Sequence, residues 1–430
     1  MDILIYTLKS AAYALTEPYW AFQLAVLAYI LHRKNLKTAM IQKMVMGQSI
    51  DKPFVLTASQ VVIGIFAGTA ASIIMSYLGI VFDETSMVDL IFLVTILFLF
   101  YNPRFVSIAY SGAMLCIFSL MLGYAAVSTH NQALDILKMD VPAVMTMVAV
   151  IQLVEGILIL MDGRRGSVPV FANSEGKVMG GFILQRYWIA PVALLIMLHD
   201  PALAVSQSSV PMPQWWPLIK SSISADVLRN AVLMIIPFYG IMGYNTITFT
   251  MDRKKKALES GVFKIIYSLA IFGLAQAAIT NKIVEVSLPV LAVAIHEGWV
   301  ILQRNRELGG KPKYVSSEEG IMVLEVLPES PAAEMGIRSG DMLLGINDSK
   351  IEDEKMLTET LRQCPNYIWF SLKRENGKQE QVSYDKMFCG KQLGLLLVPK
   401  GMPDDTMVIK FDDNILGKAM NKIKTRENDK

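Results

Sequence analysis

His296-Glu297, inside the apolar run AVAIHEGWV, is the pair in this chain that most invites a chemical reading. A zinc hydrolase needs His-Glu-x-x-His, because two imidazoles one helical turn apart grip one ion and the Glu activates water. Here the fifth position is Val300, and Asp162 in LMDGRR precedes the pair instead of following it. The expectation is therefore a polar pair near the cytoplasmic face or in a helix–helix contact, with no metal, no cofactor and no enzyme. Gln152 and Glu155 lie in another apolar run and Glu285 at the start of the last one. Ionisable groups at such depth are functional candidates by default. Glu155 is read as a packing or hydrogen-bonding residue, with ion or substrate handling as the alternative. Gly-rich phosphate loops, nucleophile elbows and carboxylate pairs are not evident. Cys116, Cys364 and Cys389 are too widely spaced for a metal or disulfide framework and read as free thiols in a reducing compartment.

The elements that carry these residues divide the chain in two. Of 430 residues, 53% are hydrophobic and 18% charged, below the usual quarter. Residues 1–303 hold 37 charged side chains and the remaining 127 hold 41. A bilayer core takes about 20 apolar residues per helix. Spans are expected near 18–32, 54–82, 88–101, 105–127, 141–161, 187–205, 229–250, 263–280 and 283–303, eight or nine in all. Residues 1–17 form an apolar or interfacial segment interrupted by Lys9, with no basic leader before it and no cleavage site evident. Alternate loops are basic: Arg33 to Lys52, Arg104, Arg164 to Arg186, Arg253 to Lys256, and Arg304 to Lys313. That side is expected to be cytoplasmic. Trp20, Trp188, Trp215, Trp216 and Trp299 fall near span ends and are read as interfacial anchors. Gly68, Ala70 and Ala71 suit close helix packing. The net charge of +2 points to no nucleic acid.

After a linker at 304–312 the composition turns soluble. Residues 313–400 read as strand, short helix, strand, helix and a hairpin across Asn376-Gly377, then a last strand. The stretch from Gly320 to Asn347, IMVLEVLPESPAAEMGIRSGDMLLGIN after the glycine, resembles the bacterial PDZ pattern nearly residue for residue. The fold class expected is a polytopic all-α membrane bundle plus a C-terminal α+β PDZ-like domain. Such domains bind a peptide by adding it as a strand at a sheet edge. The usual Gly-Leu-Gly-Phe loop has no counterpart before Gly320, where Tyr314 to Glu319 is short and acidic. Lys391-Gln-Leu-Gly-Leu-Leu-Leu397 is the comparable run, which implies a permuted order. Leu393, Gly394, Leu395 and Leu396 would then line a groove against Leu357 and Leu361, with Lys391 near a peptide carboxylate. The alternative is that 393–398 is only a closing core strand. Residues 401–430 form a polar, basic tail.

Beyond the PDZ pattern, two further stretches carry a resemblance. One runs from Glu155-Gly-Ile-Leu-Ile-Leu through Gly163-Arg-Arg-Gly-Ser-Val-Pro-Val-Phe to Gly180-Gly-Phe-Ile-Leu-Gln-Arg-Tyr-Trp. The other is His296-Glu297 with its basic linker. Together they make the chain similar to the MinJ-type family of Gram-positive bacteria. That resemblance implies a multi-pass plasma-membrane scaffold enriched at septum and poles. Its implied partners, besides the lipid bilayer, are a DivIVA-like coiled-coil protein and a MinD-like ATPase. A PDZ regulator of membrane proteolysis or secretion is the alternative; a transporter stands behind both.

Overall fold

The computed structural model describes residues 2–131, 137–174, 177–198, 212–224, 227–228, 231–351, 354–363, 367–386, 392–401 and 408–410. Among the described residues, six α-helices come first: α1 (Asp2–Thr16), α2 (Pro18–Met46), α3 (Pro53–Leu78), α4 (Asp89–Tyr101), α5 (Ile108–Thr129) and α6 (Val141–Asp162). α7 (Arg253–Ala278) and α8 (Lys282–Gly309) follow a sheet. Helix starts are locally encoded. The Glu17 carboxylate accepts from the Tyr19 and Trp20 N–H groups ahead of α2, and Asp252 caps α7 by accepting from Lys255. α2, α3 and α6 also carry Pro in the first turn, where its missing N–H costs nothing. α3, α5, α6, α7 and α8 are long and apolar enough to cross a membrane.

Two of the expected spans, 187–205 and 229–250, are not helices. Their described parts lie in β3 (Lys177–Leu198) and β4 (Val232–Thr248), paired antiparallel from Phe182↔Thr248 to Leu198↔Val232. A strand covered on both faces needs no alternation, so its apolar run looks like a span to any hydropathy window. At about 3.3 Å per residue, 22 residues of β3 reach roughly 70 Å. That exceeds the roughly 30 Å hydrocarbon core.

Exposed strand edges are not tolerated in lipid, and α3 covers the free edge of β3. Gly64 and Gly68, one helical turn apart, face the backbone of Ile189 and Pro191, where a Cβ would run into the carbonyls. One turn further, the Ser72 hydroxyl accepts a hydrogen bond from the Ala193 N–H at 2.8 Å. Pro191 has no N–H to satisfy, so it suits this edge. Gly68 thus serves close packing as expected, but against a strand. Beyond α3's reach, β1 (Val81–Asp83) pairs with Leu195–Met197 and β2 (Val168–Ser174) forms a hairpin with the start of β3.

Two of the expected interfacial tryptophans belong to the interior. Trp188 is fully buried and donates to Asp162 at 2.9 Å. Trp216 is buried too and donates to the Ser76 carbonyl at 2.8 Å.

The C-terminal unit comprises β5 (Tyr314–Val315), β6 (Ile321–Val326), α9 (Pro331–Glu334), β7 (Met342–Ile346), β8 (Ser349–Lys350), α10 (Glu354–Arg362), β9 (Ile368–Lys373), β10 (Gln379–Tyr384) and β11 (Leu395–Leu397). Its sheet runs β10-β9-β7-β6-β11, with β8 on β7. Ile321, Val323, Leu343, Phe370 and Leu372 fill its core. In the expected polar tail, β12 (Val408–Lys410) pairs parallel with β2; residues 411–430 lie outside the described residues.

Candidate peptide groove and its seat on the helical bundle

β11 is the edge strand of the C-terminal sheet, antiparallel to β6 with Leu395↔Val326 and Leu396↔Glu325. The loop before it is held tightly. Gly394 has φ +79°, the region only glycine enters freely, and a Cβ there would collide with Ser330. Its carbonyl accepts from the Leu327 N–H at 2.8 Å, and the Leu393 carbonyl accepts from Ala332 at 3.1 Å. Leu357 and Leu361 of α10 join Leu393, Leu395 and Leu397 in one apolar cluster. The structure therefore brings together four of the five leucines expected to line the groove, Leu357, Leu361, Leu393 and Leu395, and adds Leu397. Leu396 parts from the expected lining: it packs on the other face, against the bundle's core. Lys391 lies outside the described residues.

That other face is the seat of the unit. β5 pairs with β3 at Val315↔Met179 and Tyr314↔Gly180. Gly180 has no side chain because Leu324 and Val398 occupy its space, 2.8 and 2.9 Å from where a Cβ would stand. Tyr314 packs edge-on against Phe182. Arg253, at the start of α7, lies over the Phe182 ring, 4.7 Å from its centroid. The Arg253 guanidinium grips Glu325 of β6 with both arms, at 2.6 and 3.1 Å. Burial pushes the Glu325 carboxyl above its usual range, and Arg253 opposes that shift. Lys313 adds its backbone N–H to the Phe249 carbonyl at 2.8 Å and its ammonium to Asp252. Sequence reasoning nominated none of these contacts. The available signals were a glutamate inside an otherwise apolar strand and the Gly180-Gly181 pair.

The polar residues singled out in the bundle's sequence have partners. Tyr110 donates to Glu297 at 2.6 Å and lies 2.9 Å from His296 Nδ1, while Arg104 bonds Glu297. His296-Glu297 thus ties α8 to α5. Among the described residues, no group of three His, Cys, Asp or Glu side chains is placed to hold a metal. Glu155 meets Lys264 of α7 at 3.1 Å and Gln152 at 2.9 Å. The cavity beside Glu155 is about 10 Å³, on the order of a single water. Asp162, the other half of the rejected zinc reading, pairs with Arg186 of β3. Lys256, expected in a basic loop, is buried in α7 and bonds Glu307 at 2.9 Å.

Comparison with known proteins agrees with this architecture. A family model described as "PDZ domain" matches residues 300–359. A "Probable cell division topological determinant MinJ" of Lacticaseibacillus paracasei is 28% identical over 86 residues, which is 20% of this chain and only 23% of that protein. The same name and figures hold for a protein of Lacticaseibacillus casei (strain BD-II). The "Cell division topological determinant MinJ" of Bacillus subtilis (strain 168) is 21% identical over 409 residues, 93% of this chain and 97% of that one. The chain thus carries a PDZ domain on a bundle of membrane-length helices, and it is similar along nearly its whole length to the Bacillus subtilis MinJ protein.

Proposed function

We propose that this protein is a multi-pass plasma-membrane scaffold that holds a PDZ groove at the cytoplasmic face and helps place the cell-division site. The observation that carries the reading is the pairing of an open edge with a fixed seat. β11 ends its sheet beside α10, while β5, Tyr314 and the Arg253–Glu325 pair anchor the same unit to the bundle. A peptide added to β11 would receive main-chain hydrogen bonds from the edge and apolar contact from Leu357, Leu361 and Leu395. Basic loops on the seat's side support a cytoplasmic orientation. The names of the similar proteins support a role in division topology. The partners proposed with that role, as the sequence resemblance implies, are a DivIVA-like pole- and septum-marking protein and a MinD-like ATPase. The protein has no catalytic step of its own in this reading; the polar pairs of the bundle hold helices together.

The test is a fluorescent fusion expressed from the native locus. The expected result is enrichment at septum and poles, with Leu395→Asp leaving the fusion in place but failing to recruit the partners. Uniform membrane signal with normal cell length on deletion would overturn the division role.

A further inference from the structure

β11 has two faces, and only one belongs to the PDZ core. Leu395 and Leu397 point into that core, whereas Leu396 packs towards the bundle in the same cluster as Val45 of α2. The C-terminal end of α2 stands beside this strand. A methyl placed on Gly47, the residue that ends α2, would lie 3.4 Å from Gln392 Oε1. Lys43 sits four residues earlier, on the same side of the helix as Gly47. It is exposed and, among the described residues, has no acidic partner. The nearby Asp51 carboxylate already faces Arg165 at 4.0 Å. The seat described above keeps α2 and β11 in fixed register, so α2 is a permanent neighbour of the groove.

A strand laid along β11 alternates its side chains between the two faces. Every second residue meets Leu357 and Leu361 of α10; the residues between them turn to the Leu396 face and the end of α2. The geometry points to a composite groove whose ligand is a protein C-terminus with apolar residues at alternate positions and an acidic residue between them, opposite Lys43. This rests on the groove reading proposed above and adds the second wall. The isolated PDZ unit lacks that wall and would not select for the acidic position.

The experiment uses the full chain in lipid nanodiscs and a phage library displaying random C-terminal heptapeptides. The wild type is expected to enrich peptides with alternating apolar residues and an Asp or Glu between them. Lys43→Glu should leave the apolar positions unchanged, switch the intervening position to Lys or Arg, and weaken a selected acidic peptide by about tenfold, a difference of about 1.4 kcal/mol. That loss should shrink at high salt. Identical selections by wild type and Lys43→Glu would overturn the composite groove while leaving the groove itself standing. Selection of the same peptides by Leu395→Asp and by Leu361→Asp, which alters α10 without touching β11, would overturn the groove reading itself.

Discussion

Replacing Arg253 by alanine should loosen the PDZ unit from the bundle. The substitution removes one hydrogen bond and one ion-pair contact to Glu325, the ring contact with Phe182 and a hydrogen bond to Ser167. It leaves a carboxylate whose side chain is 7% exposed with no cation beside it. Removing one partner of a fully buried pair costs about 3–5 kcal/mol. Two facts lower that figure here: the Arg253 side chain is 30% exposed, and Glu325 escapes part of the penalty by taking up a proton. The lost ring contact adds about 0.5–1 kcal/mol. A net loss of about 2–4 kcal/mol is expected. It should fall on the seat while sparing the PDZ core. Hydrogen exchange at neutral pH reads it directly: the amides that bond across the β3–β5 pairing, Met179↔Val315 and Gly180↔Tyr314, should lose protection by that amount. The Leu343 and Phe370 amides, inside the PDZ sheet, should not. Adding Glu325→Gln should recover most of the loss, because a neutral amide needs no counter-charge. Unchanged protection of the amides bonding across the β3–β5 pairing, or equal loss at Leu343, would refute the argument that this pair holds the seat.

Other substitutions test other joints. Gly394→Ala places a Cβ at φ +79° against Ser330 and should cost the PDZ unit about 1–3 kcal/mol, read as a lower melting temperature; an unchanged melt would contradict the tight loop. Lys264→Met strands the Glu155 carboxylate and should cost about 3–5 kcal/mol, with Glu155→Gln added on top restoring most of it; equal instability of single and double variants would argue against a purely structural pair. Gly68→Val should push α3 off β3 and abolish a monodisperse, folded product in detergent; normal yield and melting would sink the helix-on-edge packing. The Glu325 carboxyl titrates above its ordinary value, so its contribution to docking is full below about pH 4.3 and falls as pH rises through the shifted value. Glu325→Gln should flatten that dependence in the same exchange assay, and a docking strength that rises with pH through this window would contradict the burial argument.

Much of this molecule was legible in the residues alone. A bilayer and a strand-forming PDZ core impose different periods and charge densities, so the Gly320 to Asn347 pattern could be read directly, while the linker expected from 304 is helical as far as Gly309. The edge position nominated for Leu393 to Val398 followed from a local motif, and local motifs are what a sequence states clearly. The span expected from residue 18 begins at the Pro18 that starts α2, whereas the helix that starts after Asp252 reads as a basic loop until packing places it. The β3–β4 pair was not readable, because burial on both faces erases alternation and leaves an apolar run that a helix would also show. Nor could spacing reveal that Arg253 meets Glu325, that Glu155 meets Lys264, or that the turn ending α2 stands beside Gln392. Each of those pairs spans tens to hundreds of residues, and a charge declares its own cost of burial without naming the partner that offsets it. The membrane region and the PDZ unit were properties of the chain; their union into one body, with β11 at the sheet edge and its Leu396 face seated on the bundle, was decided by packing.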